Sequence, residues 1–264
     1  MVLSFIIVLG LIFGSFINAL VWRIHKKRKW WGSERSICPK CKHKLSAQDL
    51  IPIISWLVLK GKCRYCHKPI SIQYPLVELL TAVLFGISYF FWPVGFSSLG
   101  FLAFIVWLFC IVVMVALLVY DYLWLLLPNK MVLILTIASL ILVVLIAINN
   151  QSLSYMINAL VAGLVFFGLL FGLLQISDGK WIGGGDVKMA FALGLIAGSA
   201  TKAILLLFIA SFIGSLLTVP LLITKRLSLK AKVPFGPLLI IATILVFLFG
   251  SQLINWYTST FLYI

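Results

Sequence analysis

Apolar positions in this chain do not alternate with polar ones; they come in long uninterrupted runs. Five runs, Val2–Trp22, Phe101–Tyr120, Met131–Ile148, Met156–Ile176 and Ala203–Ile223, are long enough to cross a bilayer, since a helix needs about 20 residues to span ~30 Å of hydrocarbon. Leu76–Trp92 and Leu238–Ile254 are shorter, but Trp92, Trp256 and Tyr257 flank them, and such rings favour the headgroup level. Met189–Ala200 is shorter still and interrupted by glycine, so it spans only if Asp186–Lys188 and Thr201 lie in the interface. The pattern predicts an all-α polytopic membrane protein with about eight transmembrane helices, broken by one sizeable polar insert between the first and the second.

Composition agrees. With 63% hydrophobic and 10% charged residues, the chain lacks the polar surface that a soluble globule of this size needs. Charge then orients the spans, because Lys and Arg near helix ends stay on the cytoplasmic side. Threading eight spans with the N-terminus outside places Trp22–Tyr74, with thirteen basic residues, and the segments Asp121–Lys130, Ser177–Lys188 and Thr224–Lys232 all inside. Of 21 Lys and Arg only Lys202 falls outside, and the outer loops "PVGFSSLG" and "NNQSLS" carry no charge. Both termini are therefore expected outside. The first run has no basic residue before it and many after it, which reads as a retained anchor and not a cleaved signal. The net charge of +15 follows membrane sidedness and attraction to anionic lipid, so the lipid bilayer is the expected partner and nucleic acid is not.

The insert holds "CPKC" and "CRYC", that is Cys38, Cys41, Cys63 and Cys66. In a cytoplasmic loop thiols stay reduced, which disfavours disulfides. Two C-x-x-C knuckles complete a tetrahedral sulfur shell suited to Zn²⁺. Four protein ligands leave no open position, so the expected role is structural, stapling a small domain poor in apolar residues. His43 and His67 read as surface residues beside the knuckles, and Cys110 as a small buried hydrophobe.

Two acidic residues stand out, because ionisable groups at membrane segments are costly and mark function. Asp121 follows an uncharged run in "LLVYDYLWLLLPNK", and Asp186 closes "GGGD". The chain crosses the membrane twice between them, so both lie on the inner side. Two carboxylates meeting in a partly desolvated site cannot both ionise easily; one stays protonated while the other deprotonates a water, which is aspartic-protease chemistry. Gly183, Gly184 and Gly185 are expected to supply backbone angles and close approaches that let Asp186 face Asp121, with their N–H groups available to a substrate carbonyl. The bland reading pairs Asp121 with Lys130 and makes Asp186 a helix-dipole charge partnered by Lys188. Asp178, in "SDGK", reads as a turn residue.

These residues, with "GSFINALVWR" (Gly14–Arg23), "YPLVELL" (Tyr74–Leu80) and "VPFGP" (Val233–Pro237), resemble the bacterial type IV prepilin peptidases over essentially the full length. The chain departs from that family at Gln73, where Arg is frequent, and lacks a second Asp shortly after Asp121. The resemblance implies a bifunctional enzyme of the plasma (inner) membrane that removes the basic leader from prepilin or pseudopilin proteins at the cytoplasmic face. It also implies methylation of the new N-terminus from S-adenosylmethionine. By the same resemblance Asp121 and Asp186 are the catalytic pair of a GxGD-type aspartic peptidase, with Gly183, Gly184, Gly185 and Lys188 forming the active-site loop. No strand-anchored G-x-G-x-x-G supports the second activity independently, and no donor site is assignable. The expected domains are a first transmembrane helix (1–22), a cytoplasmic zinc-ribbon-like insert (23–75) and a transmembrane peptidase domain of about seven helices (76–264). The competing functions are a presenilin-like GxGD intramembrane protease and a non-catalytic, zinc-dependent membrane assembly scaffold.

Overall fold

The computed structural model describes residues 1–28, 36–224 and 234–261. The basic residues Lys29, Arg35, Lys225, Arg226, Lys230 and Lys232, with Glu34 and Val233, lie outside them. Among the described residues the protein is helical, with no strand beyond two isolated antiparallel bridges. Seven helices among these residues are long and apolar enough to cross a membrane, α1 (Val2–His25), α3 (Gln73–Phe90), α4 (Ser98–Trp124), α5 (Asn129–Asn149), α6 (Leu153–Ile176), α8 (Ala200–Ile223) and α9 (Gly236–Phe261), while α2 (Ile54–Val58), in the insert, and α7 (Gly184–Ala197) are shorter. Each of the seven extends a predicted apolar run by a few residues at one or both ends. Three begin at serines of the uncharged loops: Ser97, Ser152 and Ser199 accept hydrogen bonds from the amides of Gly100, Tyr155 and Lys202. A side-chain oxygen at that position satisfies one of the amides that a helix start leaves unpaired.

The eighth predicted span differs. Met189–Ala200 falls mostly inside α7 (Gly184–Ala197), a helix of 14 residues and therefore about 21 Å long, short of the ~30 Å hydrocarbon thickness. It tolerates this because it is not lipid-facing. Val187, Met189, Ala190 and Ala192–Ala197 are buried, with α5, α6, α8 and α9 packed around it.

The chain divides into two compact units, Met1–Phe90 and Phe91–Ile264. α3 packs along α1 and so falls in the first unit. Gly10 makes this possible: a Cβ there would lie 2.6 Å from Ala82 Cα, so only glycine lets the two backbones approach this closely. In the same unit the Asn18 amide donates to the carbonyls of Gly14 and Tyr74, at 3.2 and 3.1 Å.

Between α1 and α3 the insert is a pair of matched knuckles. The Cys38 amide donates to His43 O and Lys42 N to Cys38 O; the Cys63 amide donates to Lys68 O and His67 N to Cys63 O, all at 2.9 Å. Lys42 and His67 turn each knuckle with left-handed φ of 60° and 54°. Asp49 braces the second knuckle: Arg64 Nε donates to it at 2.7 Å and Tyr65 Oη at 3.0 Å. The second unit contains α4–α9, with α7 innermost.

Candidate active site

Asp121 sits in the last turn of α4. The helix stops four residues later at Leu125, whose left-handed φ of 52° lets its amide close on Asp121 O at 2.8 Å, and Pro128 then caps α5. Asp186 lies in the first turn of α7. Both carboxylates are buried, each residue being 7% exposed. They converge on a third element that sequence reasoning quoted but left out of the site, the start of α9. A methyl group on Gly236 would lie 2.7 Å from Asp121 Oδ2 and 3.1 Å from Asp186 Oδ1. The Gly236 backbone amide faces the Asp121 carboxylate, and that of Gly183 faces Asp186.

Neither bland partner is present: among the described residues neither carboxylate forms an ion pair. Lys188 Nζ instead donates to Asn129 Oδ1 at 3.0 Å, fastening the start of α7 to the start of α5, and Lys130 is exposed. Asp178 is a turn residue with φ 48°.

Of the two roles expected of the glycines, the structure shows the close approach and not the special angles. The glycines with left-handed φ among the described residues are Gly61, Gly95, Gly179 and Gly198, none of them in "GGGD". Gly183 caps α7 with extended angles and the next two are helical. Gly185 is needed for space, since a Cβ there would press on Leu127 Cδ1 at 3.1 Å and Cβ at 3.2 Å, whereas Gly184 has nothing within 4 Å. The run therefore works by close approach to the Asp121–Pro128 turn and not by unusual dihedrals. Gly236 escaped because nothing in "VPFGP" says which helix end it faces; a Gly-Pro pair announces only a helix start.

The four insert cysteines also assemble. Cys38, Cys41, Cys63 and Cys66 are free thiols whose sulfurs all lie within 4.8 Å of one another. Burial pushes the Cys38 thiol up, but the amides of Cys41 and Lys40 and the neighbouring thiols outweigh it and bring it down to about 7, so it ionises readily, as a metal ligand must. Asp49 is likewise opposed by burial, yet Arg64, Ser46 and Tyr65 hold its carboxyl down to about 2. His43 and His67 are exposed, with His43 stacked 3.7 Å from the Tyr65 ring, and Cys110 is fully buried.

Comparison with known proteins follows the same two-part division. Residues 8–92 match the family model of the bacterial peptidase A24 N-terminal domain, and residues 108–219 match that of the type IV leader peptidase family. The prepilin leader peptidase/N-methyltransferase of Aeromonas hydrophila is 31% identical, covering 98% of this chain and 94% of its own. Proteins of the same description from Bacillus subtilis, 32% identical with 97% of both chains covered, and Xanthomonas campestris pv. campestris, 33% identical with 94% and 92% covered, are similar over the same extent. No solved structure matches.

Proposed function

Because this chain belongs to the type IV leader peptidase family, we propose that Asp121 and Asp186 are the catalytic pair of its membrane-embedded aspartic endopeptidase, carried by the unit 91–264. The enzyme removes the leader of prepilin-type proteins and methylates the N-terminus that cleavage exposes. The observation that carries the assignment of the pair is the convergence of two buried carboxylates, drawn from α4 and α7, on the Gly236 backbone. Like charges so placed cannot both ionise, so the pair shares a proton. The ionised partner takes a proton from water as that water attacks the scissile carbonyl carbon; the protonated partner donates to the carbonyl oxygen and later serves the leaving amine. The amides at the open N-terminal end of α7, Gly184 and Gly185, suit the developing oxyanion. Family membership disfavours the presenilin-like and scaffold readings. We place the site at the cytoplasmic face of the bacterial plasma membrane with both termini outside; the confinement of every Lys and Arg except Lys202 to alternate segments supports this.

We also assign Cys38, Cys41, Cys63 and Cys66 as ligands of one structural zinc ion. Four mutually adjacent thiols on two knuckles with the same backbone hydrogen bonds, one of them already acidified, fit that ion. The shell is complete without substrate, so the metal's contribution is to fold the insert. Elemental analysis of protein purified without chelator should give about one zinc per chain. Cys63→Ser should lower that stoichiometry and the thermal stability together, and metal-free wild-type protein of unchanged stability would refute the assignment.

For methylation the donor is S-adenosylmethionine. When bound it supplies an electrophilic methyl group: the free N-terminal amine forms an N–C bond as the C–S bond breaks, the electron pair stays on sulfur as a neutral thioether, and the nitrogen releases a proton. The test of the whole reading is the mass of the mature N-terminus of a type IV prepilin co-expressed with this chain. Loss of the leader plus one added methyl group is expected. An uncut substrate refutes the peptidase reading, and a cut but unmethylated one refutes the second activity.

A further inference from the structure

The molecule has a cavity away from the aspartates. It measures about 630 Å³ and is lined entirely by residues of Met1–Phe90, sharing none with Asp121 or Asp186. That volume is typical of sites for small organic ligands. Its walls combine three kinds of chemistry. Trp22, Trp56 and Tyr74 supply aromatic faces; Trp56 is held by its indole N–H on Ile70 O at 3.3 Å. Arg23, Arg28, Lys40, Arg64 and Lys68 supply positive charge, Arg28 lying over the Trp22 ring at 5.3 Å and Arg64 paired with Asp49. Asp49 and Glu78 supply the carboxylates, and Glu78, from α3, is only 7% exposed.

Glu78 is the unusual member. One of its oxygens accepts the Ile53 amide at 2.7 Å, and Ile53 holds a left-handed φ of 60° to make that bond, a conformation that β-branched residues strongly avoid. Strain of this kind persists where the surroundings over-determine it, commonly at ligand sites. Among the described residues no cation pairs with Glu78. A buried carboxylate without a counter-charge is costly unless something positive completes it. Asn18 carries the one buried side-chain atom left without a partner among the described residues: it is 5% exposed, both its donors are used, and its Oδ1 is unpaired although the residue lines the cavity. An acceptor left this way is satisfied by a guest that brings its own donor.

Resting on the methyltransferase reading above, we propose that this cavity is the site of the methyl donor, S-adenosylmethionine. Its purine has a flat face for Trp22, Trp56 or Tyr74, its hydroxyl and amino groups bring donors, and its carboxylate suits Lys40 and Lys68. Its sulfonium suits the buried Glu78, which has no ion-pair partner among the described residues, in a setting of aromatic faces that favours such cations. The donor site and the peptidase pair are thus built by separate units of the chain.

The charge of the sulfonium separates this assignment from general stickiness. Isothermal titration of the full-length protein in detergent micelles would compare S-adenosylmethionine with its neutral product, S-adenosylhomocysteine. Glu78→Gln keeps an oxygen for the Ile53 amide but removes the charge; it should weaken the sulfonium ligand about tenfold while changing the neutral one by no more than about twofold. Trp56→Leu should weaken both, and Asp121→Asn should bind both as the wild type does. Zinc content and thermal unfolding of each variant report whether the insert remains folded. If a wild-type protein that methylates its substrate binds the donor, yet folded Glu78→Gln and Trp56→Leu both bind it with unchanged affinity, the site lies elsewhere and the methyltransferase reading stands. If the wild type leaves its cut substrate unmethylated and binds neither ligand, that reading falls and the proposal falls with it.

Discussion

Asp121→Asn and Asp186→Asn are each expected to reduce leader cleavage by at least about 10³-fold, with the double variant no worse than either single one. The reason lies in how a carboxylate pair divides its work. One oxygen must accept a proton from water while another gives one to the carbonyl, and a single shared proton serves both tasks only while both side chains are acids. An amide in either place ends the exchange, so removal of the second acid subtracts nothing further. Asparagine preserves shape, and each residue is 7% exposed without an ion-pair partner among the described residues, so neither substitution strands a buried counter-charge. Normal membrane abundance is expected. Cleavage is read as the gel shift of a co-expressed prepilin, with the amount of each variant in the membrane measured alongside. Substantial cleavage by either variant at normal abundance would remove the aspartic mechanism.

Gly236→Ala should be nearly as damaging, at about 10²-fold or more, although it adds one methyl group to a residue with no chemistry of its own. That methyl would stand 2.7 Å from Asp121 Oδ2 and 3.1 Å from Asp186 Oδ1, inside the space where both carboxylates must reach one water. The carboxylates can swing aside to relieve the contact, but that shift takes them out of the geometry in which both reach one water. Gly184→Ala is the comparison: nothing lies within 4 Å of its added carbon, and alanine is the better helix former, so activity should be retained. The expectation that Gly184 supplies a special backbone angle is replaced by this contrast. Wild-type cleavage by Gly236→Ala would mean that the carboxylates do not act from the geometry described.

The helices themselves were legible in the sequence, because a bilayer leaves an apolar run of 20 residues little choice. Backbone groups without water must bond within their own segment, and so α1, α4, α5, α6 and α8 cover the apolar runs that announced them. The serine caps, the two cysteine knuckles and the placement of Asp121 and Asp186 on one side are equally local or topological. Each depends on spacing along the chain or on the parity of crossings, neither of which requires knowing what packs against what.

Packing was another matter. A helix apolar on every side has no face that identifies its neighbours, so nothing in Leu76–Trp92 declared that α3 belongs with α1 and the insert. Nor did Met189–Ala200 declare that α7 is short because it is surrounded by protein. Glu78 was visible only as one acidic residue at the inner boundary; its bond to the strained Ile53, 25 positions away, and the cavity they line exist only once α1, the knuckles and α3 are assembled. Gly236 is the sharpest case. The sequence by itself determined that two aspartates share a side of the membrane. Only the tertiary structure brought the start of α9 between them, because contacts between chemically similar helices are decided by shape, and shape is a property of the folded chain.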